Sequence, residues 1–193
     1  MRKPDIRTKP LLVKALVLLS VLVFATQSSA ACTEAQNRAA AHLFLSLVTH
    51  KGLLIGIPKK NEITMMRPYI TTELAKLLEA AARVEKKHFD QTKGLEPPLR
   101  QGSLVVRASE GYNNFYVSKA VERYKKSQVY IDFQFLDLNV TPNPPHTIDE
   151  WRGRVEVKPE GKSCLVNNIF YDPHSDSGSL IDTISNMESE LRQ

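Results

Sequence analysis

Apolar residues follow three regimes along this chain. Near the N-terminus they run together, and Ala15 to Ala25 is an eleven-residue apolar block interrupted by Ser20. From residue 33 they recur at helical spacing. Ala41, Phe44, Leu45 and Val48 share one face of a helix that starts after Thr33, its N-cap, and stops at Gly52. Leu53 to Pro58 is short, apolar and closed by a proline, and reads as a buried connection. A second helix spans about Thr72 to Lys93. Leu74, Leu77, Leu78 and Ala81 form its apolar face, Lys86 and Lys87 lie toward its C-terminal end, and Gly94 stops it. Leu95 to Gly102 contains two prolines and a glycine and predicts a loop.

Beyond this loop the period falls to two. A strand from Tyr112 to Tyr124 comes first. Val129, Ile131, Phe133 and Phe135 then alternate with Tyr130, Asp132 and Gln134. Trp151, Gly153, Val155 and Val157 alternate with Arg152, Arg154, Glu156 and Lys158, which predicts an apolar and a polar face. Pro159-Glu160-Gly161 turns the chain into a last strand, Lys162 to Tyr171. Asp172 to Gly178 is a polar linker. Leu180, Ile184, Met187 and Leu191 then make an amphipathic stripe that packs on the sheet, opened by a capping box of Ser179 and Asp182. Helices first and an antiparallel meander after them define an α+β class. The expected organisation is a leader over 1–30 and a single domain over 31–193. Its core covers about 33–172 and its C-terminal helix about 179–191.

Charge and cysteine content refine this picture. Arg2, Lys3, Arg7 and Lys9 precede the apolar block and small residues follow it (Ser28-Ser29-Ala30-Ala31), the pattern of a cleaved export signal. Eleven residues fall short of the roughly 20 that a spanning helix needs. The formal charge of +5 is largely the leader's, because five of its residues are basic and one is acidic. The remainder is close to neutral, which argues against a nucleic-acid partner. An exported chain with two cysteines, Cys32 and Cys164, is suited to a disulfide between them. The competing reading takes Ser29-Ala30-Ala31-Cys32 as a degenerate lipobox, which would make Cys32 the lipid anchor of an outer-membrane lipoprotein and its only route to a membrane. The periplasm of a Gram-negative bacterium is the expected compartment.

Several segments, in order, resemble the YbjP-like family of exported bacterial lipoproteins of unknown function. They are Tyr69-Ile-Thr-Thr-Glu-Leu74, Pro97-Pro-Leu-Arg-Gln-Gly102 with Ser109-Glu-Gly111, Trp151 ahead of a strand, and Gly161-Lys-Ser-Cys-Leu-Val-Asn-Asn-Ile-Phe-Tyr171 with Gly178-Ser-Leu180. The resemblance covers about residues 35–185. It implies a cone-shaped fold similar to nuclear transport factor two, with N-terminal helices over a curved antiparallel sheet and a short C-terminal helix. The chain departs from the family where the last strand usually carries Gly-x-Trp-x-Ile-Asp-Asp-Ile. Cys164 stands at the Trp position, and Asn167 and Asn168 replace the two acids. Gly153 stands where the family has an Asp shortly after the tryptophan. Acid–base or metal roles of those carboxylates are lost, since Asn is no general base and a poorer ligand for hard cations. A bridge through Cys164 suits the space of the missing aromatic.

The remaining chemistry is sparse. His42, His50, His88, His146 and His174 form no metal-ligand spacing, and there is no nucleophile elbow, phosphate loop or dinucleotide fingerprint. Neither a metal nor a cofactor is expected. Strict alternation sets Asn167 and Asn168 on opposite faces of the last strand, Asn167 with Leu165, Ile169 and Tyr171, and Asn168 with Cys164, Val166 and Phe170. A buried Asn there must be hydrogen-bonded. The candidate ligand-binding residues are Glu110, Tyr112, Trp151, Asn168 and Tyr171. The leading expectation is a non-catalytic binding domain for a protein or small ligand, using the concave sheet or the cone mouth. The alternatives are an immunity protein against a toxin delivered to the periplasm, and a small hydrolase or isomerase built on Glu110 and His42.

Overall fold

The computed structural model describes residues 31–51, 53, 56–95, 104, 112–123, 126–137, 146–172, 174, 175 and 178–190. Residues 1–30 of the expected leader, Glu110 and the 96–102 part of the expected loop lie outside them. Among the described residues, four helices and four strands follow in the order α1 (Glu34–Lys51), α2 (Lys60–Met66), α3 (Thr72–Thr92), β1 (Asn114–Arg123), β2 (Lys126–Asp137), β3 (His146–Glu160), β4 (Ser163–Phe170) and α4 (Leu180–Glu190). This is the α+β class that the change of hydrophobic period predicts.

Local chemistry starts each helix. Thr33 Oγ1 accepts from Gln36 N at 3.3 Å, and Gln36 Oε1 accepts from Thr33 N at 2.9 Å, a reciprocal cap for α1. Thr71 Oγ1 accepts from Leu74 N and starts α3. Lys93 and Gly94 end α3 in the left-handed region, at φ 52° and 72°. Ser179 and Asp182 form the expected box at α4: both Ser179 N and Oγ donate to Asp182 Oδ2 at 2.9 Å, and Asp182 N donates to Ser179 Oγ at 3.2 Å. Helix α2 has no counterpart in the sequence reading. It is seven residues long and buries Ile63 and Met66, too short a run to display a period. The expected buried connection before it is only half-buried at Leu53 and Ile57, and Pro58 is buried.

One core joins these elements. Phe44, Leu45 and Val48 of α1, Ile63 and Met66 of α2, Leu74, Leu78 and Ala81 of α3 and Ile184 of α4 meet one face of the sheet. That face carries Val129, Ile131, Phe133, Val155, Val157, Val166 and Ile169. The stripe on α4 packs as expected through Leu180, Ile184 and Met187, while Leu191 lies outside the described residues. Gly153 has a steric reason: a Cβ there would sit 3.0 Å from the Phe170 carbonyl oxygen and 3.1 Å from Phe133 Cε2. No aspartate fits beneath that ring without displacing it.

The strands are antiparallel in the order β1-β2-β3-β4. The hairpin between β3 and β4 turns at Gly161 and Lys162, with Gly161 at φ 62°, so Pro159 and Glu160 belong to the strand rather than the turn. Irregular register changes which side chains face the helices. Val117 pairs with Ile131 and Ala120 with Val129, so β1 carries an extra residue at Ser118-Lys119. Glu156 pairs with Asn168 and Val157 with Val166, so β4 carries an extra residue at Asn167. A bulge of this kind interrupts strict alternation and bends the strand. Val166 and Ile169 therefore both face the helices, and Asn167 and Asn168 both lie on the other side. This corrects the expectation that the two asparagines face apart.

Cys32 and Cys164, 132 positions apart in the chain, form a disulfide with Cα atoms 6.0 Å apart. It joins the residue ahead of the α1 cap to the start of β4. A sulfur bonded to Cys164 leaves Cys32 no thiol to carry a lipid.

Candidate functional site

The sheet face turned away from the main helical core breaks a second expectation. Arg154 and Glu156 are not part of a solvated polar face: they are 0% and 1% exposed. Gln128, Asn167, Asn168 and Ser179 are buried beside them. Burying this many polar groups is tolerated only where each finds a partner.

The partners are specific. Arg154 Nη1 donates to Gln128 Oε1 at 2.6 Å, Nη2 donates to the Ser175 carbonyl, and the guanidinium lies 4.1 Å above the centre of the Phe170 ring. Arg154 thereby fastens the linker after β4 to the sheet. Asn167 Nδ2 donates to Glu156 Oε1 at 2.8 Å, and its Oδ1 accepts from the Thr71 hydroxyl at 3.0 Å. Thr71 is the cap of α3, so one chain of bonds runs from that helix through the bulge to Glu156. Asn168 Oδ1 accepts from Ile169 N at 2.9 Å and from Ile181 N, in the first turn of α4, at 3.2 Å. Glu156 Oε2 meets the Lys126 ammonium at 3.0 Å, without a well-aligned hydrogen bond, and Lys158 stands 3.6 Å from Oε1.

Gln128, Glu156, Asn167, Asn168 and Phe170 floor a cleft of about 470 Å³. Its rim comprises Lys126 and Lys158 from the strands, Glu73 from the first turn of α3, and Ile181 and Asp182 from α4. Lys158 also reaches Glu73, at 3.4 Å. A second cleft, on β1 to β3, is lined by Ser118, Lys119, Tyr130, Arg152 and His174. Arg152 Nε donates to Asp132 Oδ1 at 2.5 Å there, and that bond raises the guanidinium pKa above its ordinary value.

The sequence-derived candidates do not converge on one place. Asn168 is on the floor of the first cleft. Tyr112, Trp151 and Tyr171 pack against the core on the opposite side of the sheet. Tyr112 is buried, lies 4.7 Å from the Phe133 ring, and accepts a hydrogen bond from the Thr49 hydroxyl at 3.1 Å. Trp151 stacks on Phe133 with an angle of 18° between the rings. The Tyr171 hydroxyl donates to the Leu104 carbonyl at 2.8 Å. His42 is exposed and packs on Phe115, and its proposed partner Glu110 lies outside the described residues. Asn167 is buried and hydrogen-bonded, as expected of a buried asparagine there, whereas sequence reasoning missed Arg154, Glu156 and Gln128, because even spacing marks polar strand residues as solvated.

Burial raises the Tyr112 pKa strongly, and the hydrogen bond with Thr49 lowers it by less. The folded state therefore holds the phenol neutral while the unfolded chain ionises near its ordinary value of about 10. Stability is unaffected by this group below that pH and falls by about 1.4 kcal/mol per pH unit above it, until the folded-state pKa is reached. Urea titrations from pH 9 to 11 should show this slope in the native protein, and it should be smaller by that amount in Tyr112→Phe. Equal slopes would show that the phenol ionises freely in the folded state.

No protein-family model, curated protein or solved structure matches this chain. Among the described residues there is no cluster of three or more His, Cys, Asp or Glu placed to hold a metal ion. Among them, too, no helix is long and apolar enough to cross a membrane.

Proposed function

We propose that this protein is an exported, non-catalytic binding domain of the periplasm, and that the cleft over Glu156, Asn167 and Asn168 holds its ligand. The export-signal pattern, the family resemblance and the disulfide support that compartment, since such bridges persist where the environment is oxidising. On this reading the helices and the bulged sheet form the cone-shaped fold similar to nuclear transport factor two, with the ligand on the sheet face away from the main core.

The observation that carries the binding role is the burial of Gln128, Arg154, Glu156, Asn167 and Asn168 beside an open cleft. Apolar side chains of similar volume would stabilise the sheet as well or better. Polar groups held in place by their neighbours, with a cleft above them, are what recognition of a small polar molecule requires. Native mass spectrometry of protein purified from the periplasm tests the assignment. The expected result is a small-molecule adduct on the native protein that is absent from Asn168→Asp. A bare mass, combined with an unchanged melting temperature in the low-molecular-weight fraction of a periplasmic extract, would overturn it.

A further inference from the structure

Building on the cleft assignment, we infer that the ligand carries a small oxyanion, a carboxylate or phosphate group. The argument comes from which atoms the floor has already used. An amide side chain has one acceptor end and one donor end, and its orientation follows from its bonds. Gln128 gives its oxygen to Arg154 at 2.6 Å. Asn168 gives its oxygen to two backbone N–H groups, of Ile169 and Ile181. Neither side chain can turn over without setting N–H against N–H. Their amino groups, Gln128 Nε2 and Asn168 Nδ2, are therefore the ends left for the cleft, and neither has a protein acceptor among the described residues.

Most acceptors beside them are committed, although Glu156 Oε2 meets Lys126 without a hydrogen bond. Asn167 Oδ1 takes the Thr71 hydroxyl, Glu156 Oε1 takes the Asn167 amide, and Asp182 Oδ2 takes Ser179 N and Oγ. Glu156 also lies under the two ammonium groups, at 3.0 and 3.6 Å, and holds Lys126 and Lys158 at one end of the cleft. At that end two ammonium groups face one buried carboxylate, and the other two carboxylates of the lining stand at the rim. The carboxylates on the rim are Glu73, 63% exposed and shared with Lys158, and Asp182, committed to its cap. The interior thus offers two fixed amide donors beside two ammonium groups, a set that matches the oxygens of an anion. The bulge at Asn167 makes this possible, because in a regular strand Asn167 and Asn168 could not share one side.

Calorimetric titration of the purified, disulfide-bonded protein with citrate and with inorganic phosphate at low ionic strength tests the inference and separates the two oxyanion sources. Saturable binding of at least one is expected, weakening as salt is added. Asn168→Asp keeps the oxygen that serves Ile181 and replaces the amino group by a second oxygen. It should bind at least tenfold more weakly with its helical circular dichroism unchanged. Lys158→Met, which leaves Lys126 over Glu156, should also weaken binding. No saturable binding of either anion, or equal affinity in both variants, overturns the inference. Binding of a neutral probe, N-acetylglucosamine, in place of the anions and with the same loss in Asn168→Asp would overturn the oxyanion class while leaving the cleft assignment intact.

Discussion

Replacing Cys32 and Cys164 together by serine is expected to lower the unfolding free energy by about 5 kcal/mol, the chain-entropy value for a loop of this length. The bridge spans 132 positions and so restrains nearly the whole domain in its unfolded state. Small domains typically have about 5–15 kcal/mol of stability in total, so the effect is a large fraction. Its location explains why the loss is not confined to one end. The bridge fastens the cap of α1 to the start of β4, two elements that both contribute to the core. Urea unfolding of the oxidised protein and of the double variant measures the difference. A gap below about 1 kcal/mol would mean that the unfolded chain already keeps those two ends together, contrary to the entropy argument.

Arg154→Met is expected to cost about 3 kcal/mol despite the similar bulk of the new side chain. Methionine can cover Phe170 but cannot donate. Gln128 Oε1 and the Ser175 carbonyl both lose a charged donor, and Gln128 is buried. Removing one member of a buried polar group is more damaging than replacing the group as a whole. Changing Gln128 to methionine as well should therefore recover part of the loss. The effect has a location as well as a size. The linker should become open to protease between residues 172 and 178, and amide protons of α4 should exchange faster than those of α3. Uniform loosening of all the helices would show that Arg154 acts on the whole core rather than on the C-terminal attachment.

Much of the architecture was legible because it rests on periodicity. The faces of α1 and α3, the alternation in β2 and the box at Ser179 are short-range patterns that the fold preserves. The cysteine pairing followed from an even count beside an export-signal pattern. The site was far less legible. Arg154 and Glu156 stand where strand alternation marks solvent, and they are buried only because the linker and α4 return over the sheet. That return is a tertiary event with no local signature. The bulge at Asn167 is equally silent in sequence, since Leu165 to Phe170 reads as regular β-structure until its partners in β3 are known. The aromatic candidates were drawn to the core by their own hydrophobicity. Their polar tips are accommodated there by Thr49 in one case and the Leu104 carbonyl in another.

The outer rim of β4 is already occupied by the chain itself. Ile70 bridges to Val166 in parallel, with Thr71 N donating to the Val166 carbonyl and Val166 N to the Tyr69 carbonyl, and Ser179 bridges to Phe170. A strand from another molecule finds few free backbone groups there to join, which limits edge-to-edge association between molecules. Growth of the sheet between molecules would have to start at β1, and there the extra residue at Ser118-Lys119 and the lysine charge disrupt the straight ladder that aggregation requires.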